Sequence, residues 1–135
     1  IRSMDIVLPI TLTSAAAAAL INIWLAARIG QLRLATKTVH GDDAGGPLSR
    51  RMRAQLNFVE NTAFVLILIA AIELAGNGGL WLSITAGVYM LARVAHGIGM
   101  DGEGPTLLRK IGVIVTFGTQ LFLAGYAVGI TLAVI

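Results

Sequence analysis

The chain has 135 residues, 56% of them hydrophobic and only 13% charged, against roughly 25% charged in an ordinary soluble domain. A water-soluble fold of this length cannot hide so much apolar surface, so lipid is the solvent the composition asks for. Cysteine is absent and the formal charge is +3. Disulfides, a thiolate nucleophile and a cysteine-based metal site are thereby excluded, and any thiol chemistry needs a thiol brought by a cosubstrate.

Ile1-Arg2-Ser3 precede a Met4 able to serve as the start, and these three are expected to be an added scar ahead of a single domain over residues 4–135. The first apolar run, about 6–29, is too long for a signal-peptide core and reads as a retained span. Its alanine run at 15–19 suits close helix contact, and for Asn22 an interhelical hydrogen bond is favoured over a ligand contact. The segment from Ala35 to Ser49 holds His40, Asp42, Asp43, three glycines and Pro47, which are turn formers and helix breakers. A second span, about 53–75, stops at the uncharged turn Gly76-Asn77-Gly78-Gly79. The third, about 80–99, opens with Trp81 as an interface anchor, and Glu73 is expected to reach the same interface. The charged loop Asp101-Gly102-Glu103-Gly104-Pro105 leads to a fourth span, about 108–135. The expected fold is therefore an all-α, four-helix membrane bundle.

With Arg2 set aside, the other nine of the ten Lys and Arg lie in or beside the first and third loops. The positive-inside rule then puts those loops in the cytoplasm and both termini on the far side. The same distribution is a topology signal and not a nucleic-acid footprint.

Two polar stripes enter the spans from that side. In the second span, Arg50, Arg53, Asn57 and Glu60 recur at intervals of three and four, so they share one helix face and are expected to turn inward. In the third, Tyr89, Arg93, His96 and Met100 do the same. An arginine at mid-membrane costs ~2.5–3.5 kcal/mol on insertion scales, so Arg93 should face the bundle. Pairing between Arg93 and Glu60 would be the simplest structural use of both. Yet Arg33, Arg50, Arg53, Arg93 and Arg109 at one membrane face outnumber Glu60. Surplus cations at a low-dielectric site imply an anionic ligand or anionic lipid headgroups. Lipid phosphate is the plainer expectation for Arg28, Lys37, Arg51 and Lys110. One histidine beside an arginine, without further ligating side chains, is a poor metal site.

The run Arg50-x-x-Arg53-Ala54-Gln55-x-Asn57-x-x-Glu60 at the head of the second of four spans resembles the signature of the MAPEG family, the membrane-associated proteins in eicosanoid and glutathione metabolism. Gly30-Gln31-Leu32-Arg33 resembles that family's first-helix exit. Arg93-Val94-Ala95-His96 is similar to its prostaglandin E synthase branch, as is the sixteen-residue step from Arg93 to Arg109. A microsomal glutathione transferase or prostaglandin E synthase type, from a bacterium, is the implied subtype. The resemblance implies a homotrimer binding glutathione between subunits near the cytoplasmic face. Arg53, Asn57 and Glu60 of one subunit, joined by Arg93, His96 and more weakly Arg50, would hold the tripeptide. Arg33 and Arg109 would come from the neighbour, with Arg109 the catalytic residue. Met100 and Val113 stand where that branch has tyrosines, Leu56 where it has a further arginine, and Ala63 where a proline is common.

The chemistry is consistent with this. Arginines clamp carboxylates bidentately, Glu60 can accept an ammonium, and a guanidinium favours a thiol's anion over its neutral form. The first expectation is a membrane glutathione transferase, with glutathione-dependent peroxidase activity a variant of it, acting on a lipophilic electrophile or lipid hydroperoxide. The alternative is a non-catalytic adaptor that binds lipid or glutathione. A proton-coupled transporter fits least, because a carboxylate among arginines stays charged.

Overall fold

Four α-helices follow one another: α1 (Pro9–Thr36), α2 (Pro47–Leu74), α3 (Leu80–Gly99) and α4 (Leu107–Thr131). They are seen in a computed structural model that describes residues 6–135, so Ile1–Ser3 and Met4 lie outside the described residues. Pro9 and Pro47 each stand in a first helical turn, where a missing N–H costs nothing. The open amides of those turns are filled from elsewhere in the chain. The Glu73 carboxylate, at the end of α2, accepts from the Ile10 and Thr11 amides at 2.9 Å each and from the Thr11 hydroxyl at 2.8 Å. Asp43 accepts from the Leu48 and Ser49 amides at 2.8 Å and so caps α2. Thr106 caps α4 through the Arg109 amide at 3.2 Å.

These contacts set an up-down-up-down bundle. The start of α1 meets the end of α2 at Glu73, and the end of α1 meets the end of α3 at Arg28 and Asp101. The closest pairings are α3 with α4 and α1 with α2, whereas α1 and α4 barely meet. The core of the uncharged half is aliphatic, with Val65, Ile69, Ile72, Leu82 and Leu123 at 0–1% exposure. Trp81 closes that end from within the bundle: its ring lies 4.3 Å from that of Tyr126, and its indole N–H reaches the Asn77 carbonyl at 3.2 Å. Outside, the surface is apolar, with Leu20, Phe64, Ile67, Leu91, Ile114 and Leu121 each more than 60% exposed. An exposed apolar surface of that extent fits lipid and not water.

Two departures from the expected spans matter for the site. First, α1 runs seven residues past Ile29, and α2 begins six before Arg53. At ~1.5 Å per residue a helix of 28 residues is about 42 Å long, more than the ~30 Å hydrocarbon core. The arginines at these ends therefore ride on rigid helix beyond the apolar layer. Second, α1, α2 and α4 are long and apolar enough to cross a membrane, while α3 falls short. Arg93 and His96 interrupt its apolar sequence, and its neighbours compensate by burying both side chains to 1–2% exposure.

Candidate functional site

Arg93 is the centre of the polar half. Its guanidinium donates to Asn57 Oδ1 on α2 at 2.8 Å and to Thr116 Oγ1 on α4 at 2.9 Å. Its Cζ lies 5.8 Å from the Phe58 ring centroid, and its buried Nε has no partner. The seam continues deeper into the bundle through α2 and α4. Asn61 donates to the Asn57 carbonyl at 2.8 Å, and Gln120 donates to Asn61 Oδ1 at 2.9 Å. Below it, Tyr89 and Thr62 share a buried hydrogen bond of 2.8 Å. Every bonded partner of Arg93 is neutral, and no carboxylate pairs with it among the described residues. A guanidinium does not lose its proton in a protein. An uncompensated buried cation costs several kcal/mol after relaxation, so the site is electrostatically incomplete in a single chain.

His96 lies one turn further along α3, 2% exposed, with its Nδ1 buried and unpartnered. Its Cβ lies against Gly112 of α4. Gly112 permits this proximity, because a Cβ there would fall 2.4 Å from the His96 Cβ. A larger residue would push α4, and Arg109 with it, away from α3.

Arg109 stands at the head of α4. Its guanidinium has no hydrogen-bond partner among the described residues, and it lines a groove of ≈ 500 Å³ with Pro105, Lys110, Val113 and Ile114. This groove is on the outer face of the bundle, so Arg109 does not join Arg93 and Asn57 within one chain.

Arg53 and Glu60 overturn the expectation that their stripe turns inward. Their side chains are 59% and 60% exposed, and they form an ion pair at 3.9 Å along α2. The buried face of α2 is set by Ala54, Phe58, Thr62, Val65, Ile69 and Ile72. Positions 53, 57 and 60 do share a face, but it is the neighbouring one, and of the three only Asn57 reaches in. Glu60 accordingly pairs with Arg53, and the simple Glu60–Arg93 pair is not made.

Arg33 and Arg50 are tied to the loops. Arg33 donates to the Thr38 carbonyl at 3.2 Å and approaches Met52 Sδ at 3.6 Å. Arg50 donates to the carbonyls of Asp101 at 3.2 Å and Gly45 at 3.4 Å. Arg28 and Arg51, assigned to lipid phosphate on sequence grounds, both pair with Asp101. Lys37 and Lys110 pair with no acid among the described residues. Asn22 makes the interhelical bond, accepting from Gln55 at 3.2 Å. Asn61 and Asp101 take up roles to which no motif points. Asn61 is one turn from Asn57 and could have been read from that spacing, whereas nothing local marks Asp101.

The structure thus joins Asn57 to Arg93, buries His96 one turn further along α3, sets Arg53 and Glu60 on the outer shoulder of α2, and leaves Arg109 on the outer face of α4. The family model that matches the chain is that of the MAPEG family, over residues 11–129. No curated protein and no solved structure matches it.

Proposed function

The chain belongs to the MAPEG family, and on that premise we propose that it is an integral-membrane glutathione transferase. The observation that carries the reading is Arg93: a buried cation held by Asn57 and Thr116 and neutralised by no acid among the described residues. A peptide carboxylate beside it would supply the missing charge. Glutathione offers two carboxylates, an ammonium and a thiol. Arg93 and Asn57 hold one carboxylate, with His96 beside it. Glu60 accepts the ammonium, and Arg53 pairs with the second carboxylate.

Arg53 and Glu60 are more than half exposed on a membrane-inserted helix. Charged groups there are costly against lipid, so a second copy of the chain covers them. This supports a homotrimer with the site between subunits, to which the neighbour brings Arg109 and Arg33. A free thiol has a pKa of about 8.5, and an adjacent guanidinium lowers it. Arg109 stabilises the thiolate next to the apolar side chains of Val113 and Ile114. The thiolate attacks the electrophilic carbon of a lipophilic substrate from the bilayer, a C–S bond forms, and the leaving group departs with its electron pair. With a lipid hydroperoxide, two glutathione molecules are oxidised to the disulfide as the hydroperoxide is reduced to alcohol and water. The loops at 37–46 and 100–106, flanked by helix ends that carry Arg33, Arg50, Arg51, Arg53, Arg109 and Lys110, lie on the cytoplasmic side of a bacterial inner membrane.

Calorimetric titration with glutathione, followed by conjugation of a chloronitrobenzene, tests this directly. Saturable binding and chloride release are expected; absence of both sinks the reading. A second reading, a non-catalytic adaptor, is favoured by one observation. Buried Met100 and half-buried Val113 bring no hydroxyl to the neighbourhood of Arg109. Glutathione binding with no turnover, unchanged in Arg109→Ala, would select it.

A further inference from the structure

Asp101 sits at the corner between α3 and α4 and is gripped by arginines from two other helices. Arg28 of α1 pairs with its Oδ2, and Arg51 of α2 donates from Nε to its Oδ1 at 3.3 Å. Arg50 donates to its main-chain carbonyl at 3.2 Å. Both carboxylate oxygens and the carbonyl are thus each held by a different arginine. The clasp is itself braced. Arg28 also donates to the Gly97 carbonyl at 3.3 Å, and Arg51 donates to the Arg28 carbonyl at 2.7 Å. Arg28 stacks on Trp24, its Cζ 4.9 Å from the ring centroid. The Trp24 ring in turn lies where a Cβ on Gly97 would come within 2.9 Å. Arg28 is only 13% exposed, so it is placed in advance and not recruited from solvent.

From this corner the chain turns directly into α4. The Gly102 amide donates to the Gly99 carbonyl at 3.4 Å, and the Thr106 hydroxyl donates to that same carbonyl at 2.9 Å. Thr106 then accepts from the Arg109 amide at 3.2 Å. A Cβ on Gly99 would meet the Arg109 nitrogen at 2.4 Å, so the end of α3 and the first turn of α4 are in backbone contact. By contrast α1 and α4 barely meet, and the hydrogen bond between α2 and α4 lies deeper, at Asn61 and Gln120. At this end of the bundle, among the described residues, Asp101 links α1 and α2 by ion pairs and hydrogen bonds to the corner that leads into α4.

We propose that Asp101 is a positioning residue: its clasp by Arg28, Arg50 and Arg51 fixes the α3–α4 corner and thereby the place of Arg109. The proposal rests on the reading of Arg109 as the group that stabilises the glutathione thiolate. Asp101 touches no substrate, and it acts only through the backbone of residues 101–109.

The test uses the full chain in lipid nanodiscs, as wild type, Asp101→Asn and Asp101→Glu. One readout is hydrogen exchange of the amides from Leu107 to Gly112. The other is the pH titration of the ultraviolet thiolate absorbance with glutathione bound. In Asp101→Asn, exchange in the first turns of α4 is expected to rise about tenfold. The thiolate titration should move up by about one pH unit with glutathione affinity within about twofold. Asp101→Glu should restore most of both. Unchanged exchange in Asp101→Asn overturns the proposal. So does raised exchange with an unmoved titration, because Asp101 is then only a structural clamp. If wild type forms no thiolate, the reading of Arg109 fails, and the exchange data alone decide whether Asp101 holds that residue's helix. Should Asp101→Asn not survive purification, Arg51→Gln frees one carboxylate oxygen and gives the same readouts at smaller amplitude.

Discussion

Glu60 and Glu73 are the two carboxylates of α2, on the same helix and in the same membrane, yet they are handled in opposite ways. Glu73 lies against the first turn of α1 and accepts two amides and a hydroxyl there, at the positive end of a helix dipole. Its bonding capacity is spent within the chain. Glu60 is 60% exposed and has one ion-pair contact, at 3.9 Å, to an arginine just as exposed. Its capacity is left for something outside the chain. A charge in a membrane helix is therefore not functional by virtue of being there. What decides is whether the fold already satisfies it.

Four outcomes break or sharpen this contrast. The largest is expected at Arg109, whose guanidinium is also left open. Arg109→Ala should lower the conjugation rate by ~10²–10³-fold, roughly 3–4 kcal/mol, as for loss of one donor to a developing anion. Its melting temperature should stay at the wild-type value, as a paired rate assay and thermal melt would record. Next comes Glu73→Ala, which removes a cap made by charge-assisted hydrogen bonds and should cost about 2 kcal/mol of stability. Chemical denaturation in detergent measures that cost, and glutathione affinity should not change.

Glu60→Gln is the reverse experiment. Glutathione affinity should fall about tenfold, or ~1.4 kcal/mol, with stability within about 0.5 kcal/mol of wild type. If calorimetry finds the affinity intact while stability drops as in Glu73→Ala, the contrast between the two carboxylates is wrong. The smallest effect concerns a third carboxylate, Asp43, which also caps a helix but from an exposed loop. Desolvation opposes its ionisation, and the hydrogen bonds from Ser49 and Leu48 outweigh this and hold it below the usual carboxylate range. A folded pKa below the unfolded one means that the cap stabilises fully above the ordinary value of 3.8 and is lost as pH falls through the folded value. Melts of wild type and Asp43→Asn should differ near neutral pH and converge in acid. A difference that persists in acid removes Asp43 from the caps.

The four helices and their order were legible because membrane spans announce themselves by composition, and the turns between them by glycine and proline. The ends of α1 and α2 were less so. An apolar run marks where lipid begins, while a helix continues until a cap or breaker stops it, and here Asp43 and Pro47 start α2 before the apolar run does. Arg93, Asn57 and His96 stand out by helical spacing, and the structure joins Arg93 to Asn57 and buries His96 one turn further along α3. Arg53 and Glu60 were placed on the right stripe but on the wrong side of the shoulder, because a three-and-four pattern gives a face without saying which neighbour that face meets. The roles of Arg28 and Arg51 depended on Asp101, which is about fifty residues or more from either in sequence and adjacent to both in space.

By itself the sequence determined the solvent, the number of helices, the end of the molecule that carries charge, and the residue types available for an anion and a thiol. These follow from local properties: transfer free energy per residue, helix periodicity and turn chemistry. Only the tertiary structure decided which charges are consumed and which remain open. Glu73, Asp101, Arg28 and Arg51 are satisfied by partners from other helices, while Arg93 is buried among neutral groups and Glu60 and Arg109 face outward. Pairing depends on distance between elements that the chain separates by dozens of residues, and no local pattern encodes that distance.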